Sequence, residues 1–144
     1  MNILRHIFLP ILLGTLAVLP LTAQQSISAQ QPERTKLLVV WTSGDRDVAL
    51  RMVFMYTHNA KLQGWWDDVQ LLVWGPSSRL LAMDGELQDS IRKMKEAGVI
   101  LTACKACADS YGVSKTLENI GIEVKYMGVP LTEMLKSGWT TLTF

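Results

Sequence analysis

From residue 36 onward, short continuous apolar runs alternate with longer segments whose apolar residues recur every third or fourth position. The short runs predict strands covered on both faces, and the three-and-four spacing predicts helices packed by one side. Residues 36–42, carrying Leu37, Leu38, Val39, Val40 and Trp41, form the first predicted strand. Ser43, Gly44 and Asp45 then supply turn and helix-start chemistry. Residues 47–62 lack Gly and Pro and predict a helix with Ala49, Met52, Val53, Tyr56 and Ala60 near its buried face, closed by Gly64. A second strand follows over residues 68–75, through Val69, Leu71, Leu72, Val73 and Trp74, and Gly75, Pro76 and Ser77 punctuate its end.

Leu87, Ile91, Met94 and Ala97 recur at intervals of four and three, so residues 85–97 predict an amphipathic helix stopped by Gly98. Residues 99–103 predict a third strand. A short helix is expected to start near Cys104 and break at Gly112, and Val113, Leu117 and Ile120 mark another helical stretch ended by Gly121. Residues 122–127 predict the fourth strand, residues 131–137 a short helix stopped by Gly138, and residues 140–143 a terminal strand. Parallel strands need crossover connections, so this alternation predicts a three-layer, doubly wound α/β domain. Its mainly parallel five-stranded sheet carries helices on both faces.

The first residues follow a different pattern. Arg5 precedes an apolar run over residues 7–21, and a polar stretch follows over residues 24–34, the layout of a secretory signal peptide. The expected organisation is a signal over residues 1–23, a disordered leader over 24–35 rich in Gln and Ser, and one domain over 36–144. Cleavage is expected between residues 23 and 29, with Ala23, Ser28 and Ala29 as the small-residue options. An uncleaved anchor is the competing reading, but the run is short of the roughly 20 residues that span a bilayer and is interrupted by Pro10, Gly14 and Pro20. A periplasmic or secreted location follows, with no membrane contact after cleavage.

The 144-residue chain is 49% hydrophobic, enough for one domain to bury a core without staples. Its formal charge is +1; without Arg5, 13 basic groups face 13 acidic ones. Neither that balance nor the 8% aromatic content suits a nucleic-acid partner.

The two cysteines stand as Cys104-Lys105-Ala106-Cys107, directly after the third predicted strand. In an open parallel sheet, ligands and catalytic groups collect at the carboxyl ends of the strands. A helix start at Cys104 favours a thiolate there, and Lys105 adds a nearby positive charge. Cys104 is expected to be reachable from solvent, and Cys107 to resolve an oxidised or persulfidated Cys104. The competing reading makes both cysteines small hydrophobes or a structural disulfide, although so short a loop contributes little stability. His58 has no second His at metal-ligand spacing, so no metal site is expected.

Other residues surround this candidate site. The loop of Thr42, Ser43, Gly44 and Asp45 offers backbone donors and the Ser43 hydroxyl at the sheet edge, without the spacing of a phosphate loop. Gly75 and Pro76 form either the opposite lip of the same cleft or an ordinary strand-ending turn. Asp109 and Tyr111 either orient and protonate a sulfur species or cap and pack the broken helix. Core packing accounts for Trp41 and Trp74, whereas Trp65 and Trp66 are candidates for a subunit contact.

The segments 103–113 (Ala-Cys-Lys-Ala-Cys-Ala-Asp-Ser-Tyr-Gly-Val) and 117–132 resemble the DsrE-like sulfur-relay proteins. Val-Trp-Gly-Pro-Ser at 73–77, Trp-Trp-Asp-Asp-Val at 65–69 and the closing Leu-Thr-Phe resemble the cysteine-pair branch of that family. The resemblance spans residues 36–144. It implies a three-layer subunit that commonly assembles into homo-oligomeric rings or trimers, with a loop cysteine accepting sulfur as a persulfide; the sulfur chemistry expected at the thiols needs no metal or organic cofactor. The family cysteine stands eight residues before a Gly-Val pair, which places it at Cys104; Cys107 is an addition to that pattern. An export signal also departs from the family's cytoplasmic members. The expected function is therefore a sulfurtransferase-like carrier holding sulfane sulfur on Cys104, with donor and acceptor proteins or small thiols as partners. Thiol-disulfide exchange by the pair, or a non-catalytic oligomeric binding module, are the alternatives.

Overall fold

The computed structural model describes residues 34–144, so the expected signal and most of the expected leader lie outside the described residues. Arg34 and Thr35, the first of them, are held at the domain's edge: the Arg34 guanidinium donates to Asp68, and the Thr35 N–H and hydroxyl donate to Asp67.

Five strands form one sheet in the order β4-β3-β2-β1-β5, every pair parallel. They are β1 (Lys36–Trp41), β2 (Asp68–Val73), β3 (Ile100–Cys104), β4 (Glu123–Lys125) and β5 (Thr140–Thr143). The three central strands are buried on both sides, which is why they read as unbroken apolar runs.

The first crossover is α1 (Arg46–Val48), a π-helical segment (Ala49–Phe54) and α2 (Met55–Leu62). Asp45 caps its start, accepting from the N–H groups of Asp47 and Val48. The wider π turn shifts the inward face. Phe54 and Thr57 point inward beside Ala49, Val53 and Ala60, while Met52, expected inside, is 50% exposed. Next comes α3 (Pro76–Met83), a helix absent from the sequence expectation, then α4 (Gly85–Glu96), capped by the Asp84 carboxylate. Gly75 and Pro76 read as a strand-ending turn, yet Pro at a first helical position is preorganised for a helix. Then follow α5 (Lys105–Ser110), α6 (Ser114–Asn119) and α7 (Gly128–Lys136). The last starts three residues earlier than expected because Pro130 falls in its first turn, where its missing N–H costs nothing.

Chain direction decides how the layers are filled. Steps from β1 to β4 move one way across the sheet, and the return from β4 to β5 moves the other way. Right-handed crossovers therefore place the earlier helices on one face and α7 on the opposite one. On the crowded face, Leu37, Val39, Trp41, Val69, Leu71, Val73, Leu101 and Ala103 join Val53, Ile91, Met94 and Leu117 in the main core. Trp41 meets Phe54 edge-on, ring centres 5.0 Å apart.

The other face carries a smaller cluster of Leu38, Val40, Leu72, Cys104 and Met127, packed against Leu131 and Met134 of α7 and by Trp74, Cys107 and Trp139. A single helix is about 10–12 Å across, whereas five strands span about 19 Å side by side. That face is thinly covered. Gln70 and Thr102, buried on it, satisfy each other through a 3.0 Å hydrogen bond. Among the described residues, no helix is long and apolar enough to cross a membrane.

Candidate functional site

Cys104 is the last residue of β3 and the cap residue of α5, so its thiol lies at the carboxyl rim of the sheet. Strand alternation sends Leu101 and Ala103 into the main core and Thr102 and Cys104 to the thin face. The rim placement agrees with the sequence reading; the exposure does not. Cys104 is only 4% exposed, within the cluster of Leu38, Val40, Leu72 and Met127. Register against β2 and β4, and the helix lying over that face, close it in. Cys107, one helical turn later, is half-buried and is the more open sulfur.

Both thiols are free. Cys107 packs against the cluster that holds Cys104, and the Gly75 N–H lies near Cys107 Sγ. Burial pushes the Cys107 pKa up; the neighbouring Cys104 adds to this, while the Gly75 N–H acts the other way. Burial thus disfavours the Cys107 thiolate relative to an open cysteine. Alkylation of Cys107 by iodoacetamide is expected to accelerate at more alkaline pH than that of a cysteine in an unstructured peptide. Equal pH midpoints, read by peptide mass spectrometry, would contradict the burial that causes the shift.

The sequence-predicted neighbours divide into two groups. Gly75 comes close to the thiols: with φ 70° and ψ −135°, it brings its N–H near Cys107, while its neighbour Pro76 packs near Gly44. In the loop after β1, two of the backbone donors are already engaged. The N–H groups of Thr42 and Ser43 both bond the Phe144 carbonyl, at 2.7 and 3.1 Å, and Ser43 Oγ accepts from the Asp45 N–H. Lys105 turns away from the sulfurs to Asp109, 2.8 Å away, which raises the Lys105 pKa. Asp109 is held below the usual carboxylate range by Lys105 first and by the Ser114 hydroxyl second. Tyr111 is exposed, with the Arg79 guanidinium 5.4 Å from its ring centre. Lys105, Asp109 and Ser114 thereby tie α5 to the start of α6, and Tyr111 meets Arg79 of α3.

Two contributors escaped the sequence reading. Ser77, fully buried, donates to the Trp41 carbonyl at 2.6 Å and accepts from the Trp74 N–H, tying the ends of β1 and β2 beneath Gly75. Its signal was the serine following a proline at a helix start. The Phe144 carbonyl has no sequence signal, because a backbone acceptor is the same in every residue. A cleft of about 160 Å³ bordered by Phe54, His58, Lys93 and Met94 lies between the first crossover and α4. It does not include the cysteines.

A fully parallel, three-layer α/β sheet with two free cysteines at its carboxyl rim defines the doubly wound class of protein. The chain belongs to the DsrE/DsrF-like family, whose model matches residues 36–144. Among solved structures it is similar to BT1422 of Bacteroides thetaiotaomicron, a conserved protein of unknown function. Identity is 39% and the TM-score 0.73, over 76% of this chain and 94% of that one. The ychN protein of E. coli (19% identity, TM-score 0.64) and MTH1491 of Methanobacterium thermoautotrophicum (17%, 0.61), the latter also of unknown function, share the fold. Each of these two matches covers 76% of this chain and 99% of the other. No curated protein matches the chain. Family membership points to a role of the sulfur-relay type.

Proposed function

We propose that this protein is a sulfur carrier that holds sulfane sulfur as a persulfide on Cys104, taking it from a donor and passing it to an acceptor thiol. The observation that carries this reading is the contact between Cys104, at the strand end, and the Cys107 thiol. A thiolate is the form that attacks sulfur, and the first turn of α5 presents unpaired N–H groups beside Cys104. Apolar surroundings shield a terminal sulfur from water and from stray thiols. Family membership supports the chemistry, and the apolar run over residues 7–21 supports export to the periplasm or beyond. Donors and acceptors are then proteins or small thiols of that compartment. Tyr126, Val129 and Leu135, exposed around α7, support assembly with further copies of the chain.

Incubation with excess glutathione persulfide is expected to add one sulfur mass to Cys104 in the native protein and none there in Cys104→Ser. An unmodified native chain under donor excess would remove the reading. Thiol-disulfide exchange is the second reading, favoured by the same sulfur contact. The spectrum separates the two, since an intrachain disulfide loses two hydrogens instead of gaining sulfur.

A further inference from the structure

The two sulfurs are not equally placed, and their order is the reverse of what their positions in the sequence suggest. Cys104, the family position, is 4% exposed within Leu38, Val40, Leu72 and Met127, whereas Cys107 is half-buried and nearer solvent. Attack on a persulfide requires the incoming sulfur, the transferred sulfur and the leaving sulfur to line up, with free space in front of the attacking thiolate. Cys107, the more exposed of the two, is the sulfur an incoming donor reaches first.

We propose that Cys107 is the outer thiol through which sulfur enters and Cys104 the inner thiol that stores it. The inference rests on the sulfur-carrier reading above and adds the route. In the first step the Cys107 sulfur attacks the terminal sulfur of a donor persulfide. The new bond joins Cys107 Sγ to that sulfur, the donor's sulfur–sulfur bond breaks, and the donor leaves as a thiol carrying the proton that Cys107 gives up. In the second step Cys104 attacks the same terminal sulfur, the bond to Cys107 breaks, and the Cys104 proton passes to Cys107. Each step makes one sulfur–sulfur bond and breaks one, so no oxidant or reductant is consumed.

The geometry serves the second step in particular. Cys107 packs against the cluster that holds Cys104, so the Cys104 proton has only a short way to go to the Cys107 sulfur that leaves. The Gly75 N–H aimed at Cys107 Sγ stabilises the negative charge that develops there as Cys107 leaves. Transfer within one chain also gains from proximity, which an external thiol reaching for Cys104 lacks.

Lys105 makes the order of events readable, because trypsin cuts after it and places the two cysteines on separate peptides. The full domain is mixed with glutathione persulfide, quenched at intervals by alkylation, digested and mapped by mass. In the native protein the sulfur adduct is expected first on the Cys107 peptide and later on the Cys104 peptide. Cys104→Ser is expected to retain the adduct on Cys107. Cys107→Ser, and Cys107→Ala as its control for fold effects, are expected to load Cys104 roughly tenfold more slowly or worse. Loading of Cys104 at the native rate in both Cys107 variants, or an adduct on Cys104 that precedes any on Cys107, overturns the route and leaves the carrier reading standing. Absence of adduct on either cysteine under donor excess overturns the carrier reading itself, and the route with it.

Discussion

Leu72→Ala is expected to destabilise the domain by about 2–5 kcal/mol and at the same time to speed alkylation of Cys104. Leu72 is fully buried in the cluster that encloses Cys104, on the face where α7 is the covering helix. Truncating it removes transfer free energy and leaves a cavity that a single crossing helix can only partly collapse. The same cavity opens space beside the inner sulfur. Urea unfolding should show a lower midpoint with an unchanged slope, and peptide mapping should show the Cys104 rate rising relative to Cys107. A normal midpoint would mean that α7 closes the gap. Unchanged alkylation would mean that something other than this cluster shields Cys104.

Gly75→Ala is expected to cost on the order of 1–3 kcal/mol and to push the Cys107 pKa higher still. Gly75 holds φ 70° and ψ −135°, a region that side-chain-bearing residues rarely enter, and an added Cβ meets nothing within 4 Å. The cost is therefore backbone strain and not collision. Relief of that strain rotates the N–H away from Cys107 Sγ and removes the interaction that opposes the effect of burial. Thermal unfolding should fall in midpoint, and the alkylation profile of Cys107 should move to higher pH. A variant with native stability would show that the turn relaxes at no cost. A native pH profile would show that the Gly75 N–H contributes nothing to the thiol.

Most of the layering was legible in the chain. Leu37 to Trp41, Val69 to Val73 and the Val99 to Ala103 run announced strands buried on two faces, because only a sheet between layers keeps consecutive apolar residues dry. Where the reading missed, local geometry was responsible. The turn residues Gly75 and Pro76 concealed the start of α3, since proline ends one element and begins another with the same fixed φ. Met52 fell outside because a π segment breaks the 3.6-residue period on which the helical spacing rests.

The site divides in the same way. Adjacent positions in sequence were enough to place Cys104 at a strand end and Cys107 one turn along a helix, since both follow from the local alternation of strand and helix. What the linear pattern left open is the partner each side chain takes: Asp109 for Lys105, Ser114 for Asp109, the Asp45 N–H for Ser43.

By itself the sequence determined a parallel α/β sheet and a pair of thiols at its carboxyl rim, because apolar periodicity and chain neighbours act over a few residues. Tertiary structure alone decided which thiol faces outward. The depth of a sulfur depends on strand order and on the one helix that the right-handed return from β4 to β5 lays across that face.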